Sequence, residues 1–198
     1  MGKVVHLFST PLYLTKLNVS QSVFHFIKSQ KFRYHGNGYI THEYILECPE
    51  MESIKNSITN EVKSYLYDTC RISDIMIPEL VTSWVNLHKK GDHAPIHCHT
   101  NSIVSGVWYL SFPENSGEFL THTDNKLFGN LLDFPKTENL FNSAFNSFTP
   151  KNGDLILFPS DLKHSVIPSK SDKERFSLAF NYMLRGNVKS GTTTIVKL

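Results

Sequence analysis

Cysteine is scarce in this chain of 198 residues: Cys48, Cys70 and Cys98 are an odd number, widely spaced and without a CxxC pair. That argues against a disulfide framework and leaves reduced thiols in a cytosolic setting as the default. Charge of one sign is also lacking. The net charge is +2, no run of five like charges occurs, and no Lys/Arg-rich segment alternates with aromatics. Neither nucleic acid nor an anionic membrane surface is therefore an expected partner. No apolar run approaches the roughly 18 residues that a membrane span needs. The opening MGKVVHLFSTPLYLTKL lacks the long apolar stretch and small-residue cleavage site of a signal peptide. His6 stands where a myristoylation motif after Met1-Gly2 requires Ser or Thr. The expectation is a soluble, cytoplasmic protein.

Internal repeats, low-complexity tracts and Pro/Gly/Ser linkers are missing as well, which favours one domain over 1–198. Its first part, 1–79, reads as an α/β support. VVHLFSTPLYLTKL has strand composition interrupted by Pro11, which suits an edge. SQSVFHFIKSQ is helical, with Ser20 as N-cap and Val23, Phe24 and Ile27 on one face. GYITHEYIL is expected to be a strand. PEMESIKNSITNEVKSYLYD is the clearest helix, its Ile54, Ile58, Val62 and Leu66 forming a stripe suited to covering a sheet.

From Leu80 to Leu184 the pattern changes to short strands: LVTSWVNLH, SIVSGVWYLSF, GEFLTH, GDLILFP, HSVIP and RFSLAFNYML. Turn-forming stretches such as KKGDHAP, PENSG and PKNGD separate them. This predicts a mainly β fold with flanking helices, its 80–184 core a jelly roll, or double-stranded β-helix, of cupin-like shape. The polar, Phe- and Asn-rich stretch 125–149 reads as a long loop that serves as a lid or insert.

Histidine, in contrast, is plentiful: ten in all, four of them between His88 and His99. In HAPIHCHTNS, His97 and His99 are two apart, so a strand would project both from one face and Cys98 from the other. His164 opens a later strand, and a jelly roll can lay distant strands side by side. The three could form a facial ligand set with open metal positions. His88 and His93 read as exposed or supporting imidazoles near a turn. His6, His25, His35 and His42 have no partner pattern, and His122 suits a substrate contact and a surface, hydroxyl-rich strand end equally well.

The last strand of the core is a separate signal. Phe176, Leu178, Phe180, Tyr182 and Leu184 share one face, and Arg175, Ser177, Ala179, Asn181 and Met183 the other. An inward arginine is costly unless an anion meets it. Arg175 with Ser177 offers a bidentate fork and a hydroxyl, suited to a carboxylate. Trp84, Asn86 and Tyr109 have strand parities that could also line a pocket, as does Asn181. Each such residue is more often simply a core residue or a satisfied polar group.

The ordered set His97-Cys98-His99, His164 and Arg175-Phe176-Ser177 resembles the Fe(II)/2-oxoglutarate-dependent oxygenases, in which H-x-D/E, a distant His and R-x-S occur in that order. SWVNLHKKGD, IHCHTNSIVSGVWYL, NGDLILFPSDLKHSVIP and ERFSLAFN resemble a phage and bacterial branch of that superfamily, akin to prolyl and aspartyl hydroxylases. The resemblance covers 80–184. It implies Fe(II) on His97, His99 and His164, and 2-oxoglutarate held by Arg175 and Ser177. It further implies O2 as oxidant, and hydroxylation of a small-molecule or peptidyl substrate with release of succinate and CO2. It also admits the cytoplasm of a phage-infected bacterium as a setting. One departure stands out: His99 replaces the usual carboxylate. It could be a third neutral ligand, His97 and His164 could bind alone with water in the gap, or the iron could be lost. Two rival classes stay open: a three-histidine cupin enzyme that does not use 2-oxoglutarate, and a non-catalytic jelly-roll binding protein.

Overall fold

Between Ile77 and Arg185 the chain passes back and forth between two antiparallel sheets. The computed structural model describes residues 9–123, 139, 142–190 and 194–197. The larger, seven-stranded sheet has the order β1-β9-β6-β11-β4-β3-β2 and the smaller β5-β10-β7-β8. The strands are β1 (Tyr13–Lys16), β2 (Arg33–Tyr34), β3 (Tyr39–Ile40), β4 (Ile77–His88), β5 (Ala94–His97), β6 (Val104–Ser111), β7 (Phe119–His122), β8 (Phe145–Phe148), β9 (Asp154–Pro159), β10 (His164–Val166) and β11 (Arg175–Arg185). A separate hairpin, β12 (Asn187–Ser190) and β13 (Thr194–Lys197), follows. Strands far apart in sequence pair directly, β4 with β11 and β5 with β10. This nesting is the double-stranded β-helix, and the fold is mainly β with flanking helices.

The alternation in β11 explains how the layers stack. Phe176, Leu178, Phe180, Tyr182 and Leu184 are all buried in the main core. There they join Val23 and Ile27 of α1 (Gln21–Ser29) and Ile58 and Val62 of α2 (Glu52–Lys63). Phe24 meets Phe176 edge-on, and Thr59 bonds the Tyr182 hydroxyl at 2.8 Å. The helices thus cover the outer face of the large sheet, which frees the opposite face of β11 for the space between the sheets. Ser20 caps α1 as expected, accepting from the Val23 N–H. A 3-10 turn (Pro49–Met51) leads into α2 and a π-helical turn (Ser64–Thr69) leaves it, with Leu66 continuing the buried stripe.

Three expectations need correction. GYITHEYIL is a strand only at β3. Beyond Ile40 single backbone bonds to β4 persist, from Thr41 N–H to the Val85 carbonyl and from Tyr44 N–H to the Ser83 carbonyl. The Thr41 hydroxyl accepts from Val85 N–H and the Ser83 hydroxyl from Leu46 N–H, so the segment is tied to β4 without a regular ladder. Tyr44 then turns at φ 89° into a short 3-10 helix, Ile45–Glu47. Among the described residues the N-terminal strand is β1 alone, an edge strand after Pro11; residues 1–8 lie outside them. In the expected loop 125–149, residues up to 138 and 140–141 also lie outside the described residues, but Phe145–Phe148 is strand β8. Its Phe148 pairs with Phe119 of β7, giving the segment an apolar anchor. Among the described residues, no helix is long and apolar enough to cross a membrane.

Candidate metal centre

His97 ends β5 and His164 begins β10, and the two are direct partners in the register of the small sheet. His99 lies past the end of β5, so strand parity does not place it. Its backbone N–H instead bonds the Ser160 carbonyl at 2.8 Å, and its ring meets Trp84 edge-on at 6.0 Å. The three imidazoles converge nonetheless: one ligand nitrogen from each lies within 4.8 Å of the others. Cys98, between two of them, is exposed and outside the cluster.

The protonation pattern suits a metal. His97 Nδ1 is 2.8 Å from the Pro95 carbonyl, and His164 Nδ1 is 2.8 Å from that of Leu162. A carbonyl only accepts, so both Nδ1 atoms carry a proton, which in the neutral ring leaves Nε2 as the atom able to bind a metal. His164, 5% exposed, packs against Phe119 and Phe158. Burial pushes it down to about 3, against the Leu162 carbonyl, with His97, His99 and His122 adding to the shift. Burial, and then His97, pushes His99 down to about 4. Both imidazoles are neutral at neutral pH, the form that can bind a metal.

Behind the histidines, a cavity of about 90 Å³ runs between the sheets. That is several times the roughly 10–15 Å³ a single water requires. Trp84, Asn86, Tyr109, Arg175 and Ser177 all line it. Asn181 does not. Its Oδ1 accepts from the Ser105 hydroxyl at 2.7 Å, and Ser105 bonds Ser160 at 2.8 Å, so it sits in a buried chain of polar groups instead. Trp84 Nε1 donates to Asn86 Oδ1 at 3.0 Å, which leaves the Asn86 amide hydrogens for other partners. Burial raises the Tyr109 phenol above its usual range and keeps it neutral.

Arg175 is 1% exposed. Its Nη1 donates to the carbonyls of Ser116 (2.7 Å) and Gly117 (3.2 Å), its Nη2 donates to His88 Nδ1, and its Nε is buried without a partner. Among the described residues no carboxylate pairs with it. Burial lowers it to about 10, so it is still a cation at neutral pH. A buried cation without a counter-charge costs several kcal/mol, and an anionic ligand in the cavity would offset that. These residues therefore fit a dicarboxylate at one end and a metal at the other.

A wider cleft of about 480 Å³ shares His97, His99, Trp84, Asn86 and His88 with the inner cavity and adds Arg33, His35 and His93. His88 was expected to be a supporting or exposed imidazole near a turn; it is 7% exposed and touches Arg175. The signal for it was present: His88 continues the parity of Trp84 and Asn86 along β4, and faces Arg175 in register. His35, with no partner pattern in sequence, reaches the cleft only because β2 and β3 extend the large sheet beyond β4. His122 bonds the Ser165 hydroxyl at 2.8 Å.

The comparisons with known proteins agree with this geometry. The chain resembles a prolyl-4-hydroxylase from Pseudomonas putida (TM-score 0.63, 13% identity, 90% of this chain and 95% of that one). It resembles HygX from Streptomyces hygroscopicus, solved with nickel and 2-oxoglutarate bound (TM-score 0.60, 13% identity, 88% and 83%). A third similar structure is a viral collagen prolyl hydroxylase from Paramecium bursaria Chlorella virus-1 in complex with 2-oxoglutarate (TM-score 0.50, 19% identity, 74% and 79%). Among curated proteins no sequence matches. The family model described as "Putative 2OG-Fe(II) oxygenase" matches residues 82–181. That match spans half of the chain and both the histidine cluster and Arg175, and the chain belongs to the Fe(II)/2-oxoglutarate-dependent oxygenases, enzymes that use Fe(II), 2-oxoglutarate and O2.

Proposed function

We propose that the chain is a hydroxylase in which His97, His99 and His164 hold Fe(II) and Arg175 with Ser177 holds the far carboxylate of 2-oxoglutarate. In this reading 1–79 supports the 80–184 core within one domain. The observation that carries it is the pairing of the histidine cluster with a buried, carboxylate-free arginine on the walls of one cavity. A three-histidine cupin enzyme acting without a dicarboxylate would leave that arginine uncompensated, and a non-catalytic jelly roll would leave both features unexplained.

Bound there, Fe(II) supplies the activation of O2 that couples conversion of 2-oxoglutarate to succinate and CO2 with oxidation of the substrate. The protein's own work is positioning. The Pro95 and Leu162 carbonyls aim two imidazoles, and the Ser160 carbonyl fixes the backbone that carries the third. Phe119 and Phe158 wall the buried side of His164 and keep water from it. Tyr109, a neutral phenol on the cavity wall, offers an O–H donor to the cosubstrate. The wide cleft receives the substrate, a small molecule or a peptidyl side chain, with Trp84 as an apolar floor beside His99. Convergence of all three rings supports three histidine ligands over two.

The test is anaerobic titration of the Fe(II)-loaded protein with 2-oxoglutarate. A visible metal-to-ligand charge-transfer band is expected. Iron binding without the band would favour the cupin-type reading, and failure to bind iron would leave a jelly roll without the chemistry.

A further inference from the structure

The geometry points to His88 as a positioning residue for the cosubstrate: it aims the Arg175 guanidinium, and Gly38 in turn seats the His88 ring. The inference rests on the reading of Arg175 as the carboxylate anchor.

The guanidinium is gripped at two ends. The carbonyls of Ser116 and Gly117 take Nη1, and His88 Nδ1 takes Nη2. Among the described residues, His88 is the side chain in this grip. A guanidinium only donates, so Nδ1 must offer a lone pair, and the ring is a neutral imidazole with its proton on Nε2. That choice of partner matters. A neutral acceptor orients the cation and leaves its charge available, whereas an Asp or Glu in the same place would neutralise it and compete with an anionic ligand.

The ring has little freedom. His88 is 7% exposed at the end of β4, directly opposite Arg175 in the register with β11. Its other side lies against Gly38, where a Cβ would come within 2.4 Å of Cδ2 and 2.8 Å of Nε2. A side chain at position 38 would have to displace the ring. Gly38, His88 and Arg175 therefore form a contact chain from the rim of the wide cleft to the inner cavity, and His88 is a wall of both.

The test compares variants in the anaerobic Fe(II)-loaded protein, reading dissociation constants for 2-oxoglutarate and for 2-oxobutyrate, which lacks the far carboxylate. His88→Leu should weaken 2-oxoglutarate about tenfold or more, the scale of one lost charged hydrogen bond, and leave 2-oxobutyrate unchanged. His88→Asn, which restores a neutral acceptor, should recover most of the loss. Gly38→Ala should reproduce the weakening without altering either partner, and it carries the test if His88→Leu does not fold. In the double variant with Arg175→Ala, His88→Leu should add nothing further. Unchanged 2-oxoglutarate binding in both His88→Leu and Gly38→Ala overturns the inference, as does equal weakening of both acids. Unchanged binding in Arg175→Ala overturns the anchor reading itself, and the inference with it.

Discussion

At the scale of the residue, the site is a problem in keeping imidazoles neutral. Burial holds His164 near 3 and His99 near 4, well below the value of about 6.5 in an unfolded chain. As pH falls below about 6.5, the unfolded state binds protons that the folded state refuses. Stability is therefore lost on going from about pH 6.5 down towards 4 and 3, and is unaffected by these groups above neutrality. The metal-free protein should lose more stability between pH 7 and 5 than His164→Gln does; parallel denaturation curves would show that His164 is not the titrating group. His99 bears a second prediction. His99→Asp restores the carboxylate common to the superfamily and should keep or raise Fe(II) affinity, measured by competition with a chelator, while His164→Ala should abolish it. An Asp variant as weak as His99→Ala would remove His99 from the carboxylate position.

Among the elements, the segments that matter most are the ones between strands. His99 depends on the Ser160 carbonyl, and Ser160 belongs to the buried chain with Ser105 of β6 and Asn181 of β11. Ser105→Ala leaves the Asn181 oxygen and the Ser160 hydroxyl without their partner, a cost of about 1–3 kcal/mol. Urea unfolding should show that loss, and Fe(II) affinity should fall with it because the His99 backbone loses its support. Normal iron binding in a destabilised Ser105→Ala would separate the two effects. Asn181 also shows the limit of parity. The alternation in β11 put it correctly on the inner face, but four residues beyond Ser177 is about 13 Å along a strand, past the cavity. Parity gives a face and not a depth. The GYITHEYIL segment failed differently: single backbone and hydroxyl bonds tie Thr41 and Tyr44 to β4, but the left-handed turn at Tyr44 into Ile45–Glu47 ends the strand that its composition favoured.

The whole molecule carries an unfinished charge balance that its ligands complete. A cluster of three imidazoles and a buried cation that no carboxylate meets among the described residues cost stability on their own. A metal and an anion bound to the folded state add RT ln(1 + [L]/Kd), about 2.7 kcal/mol at a hundredfold excess over Kd. For a chain of this size that shifts Tm upward by roughly 5–10 °C. Fe(II) followed by 2-oxoglutarate should raise Tm in two steps, a chelator should reverse both, and Arg175→Ala should keep the first step and lose the second. A single step insensitive to Arg175 would mean that the dicarboxylate binds elsewhere.

The sequence by itself determined the kinds of parts. Period-two alternation marked the strands, Gly, Pro and Asn marked the turns, and the order of His97, His99, His164, Arg175 and Ser177 marked a candidate metal and anion site. Tertiary structure decided which parts meet. His97 faces His164 because β5 lies beside β10. Arg175 finds His88, 87 positions earlier, because β4 lies beside β11. Gly38 reaches that pair through β3. The physical reason is that a periodic pattern specifies which face a side chain takes, while strand register, set by packing across the whole sheet, specifies its neighbours.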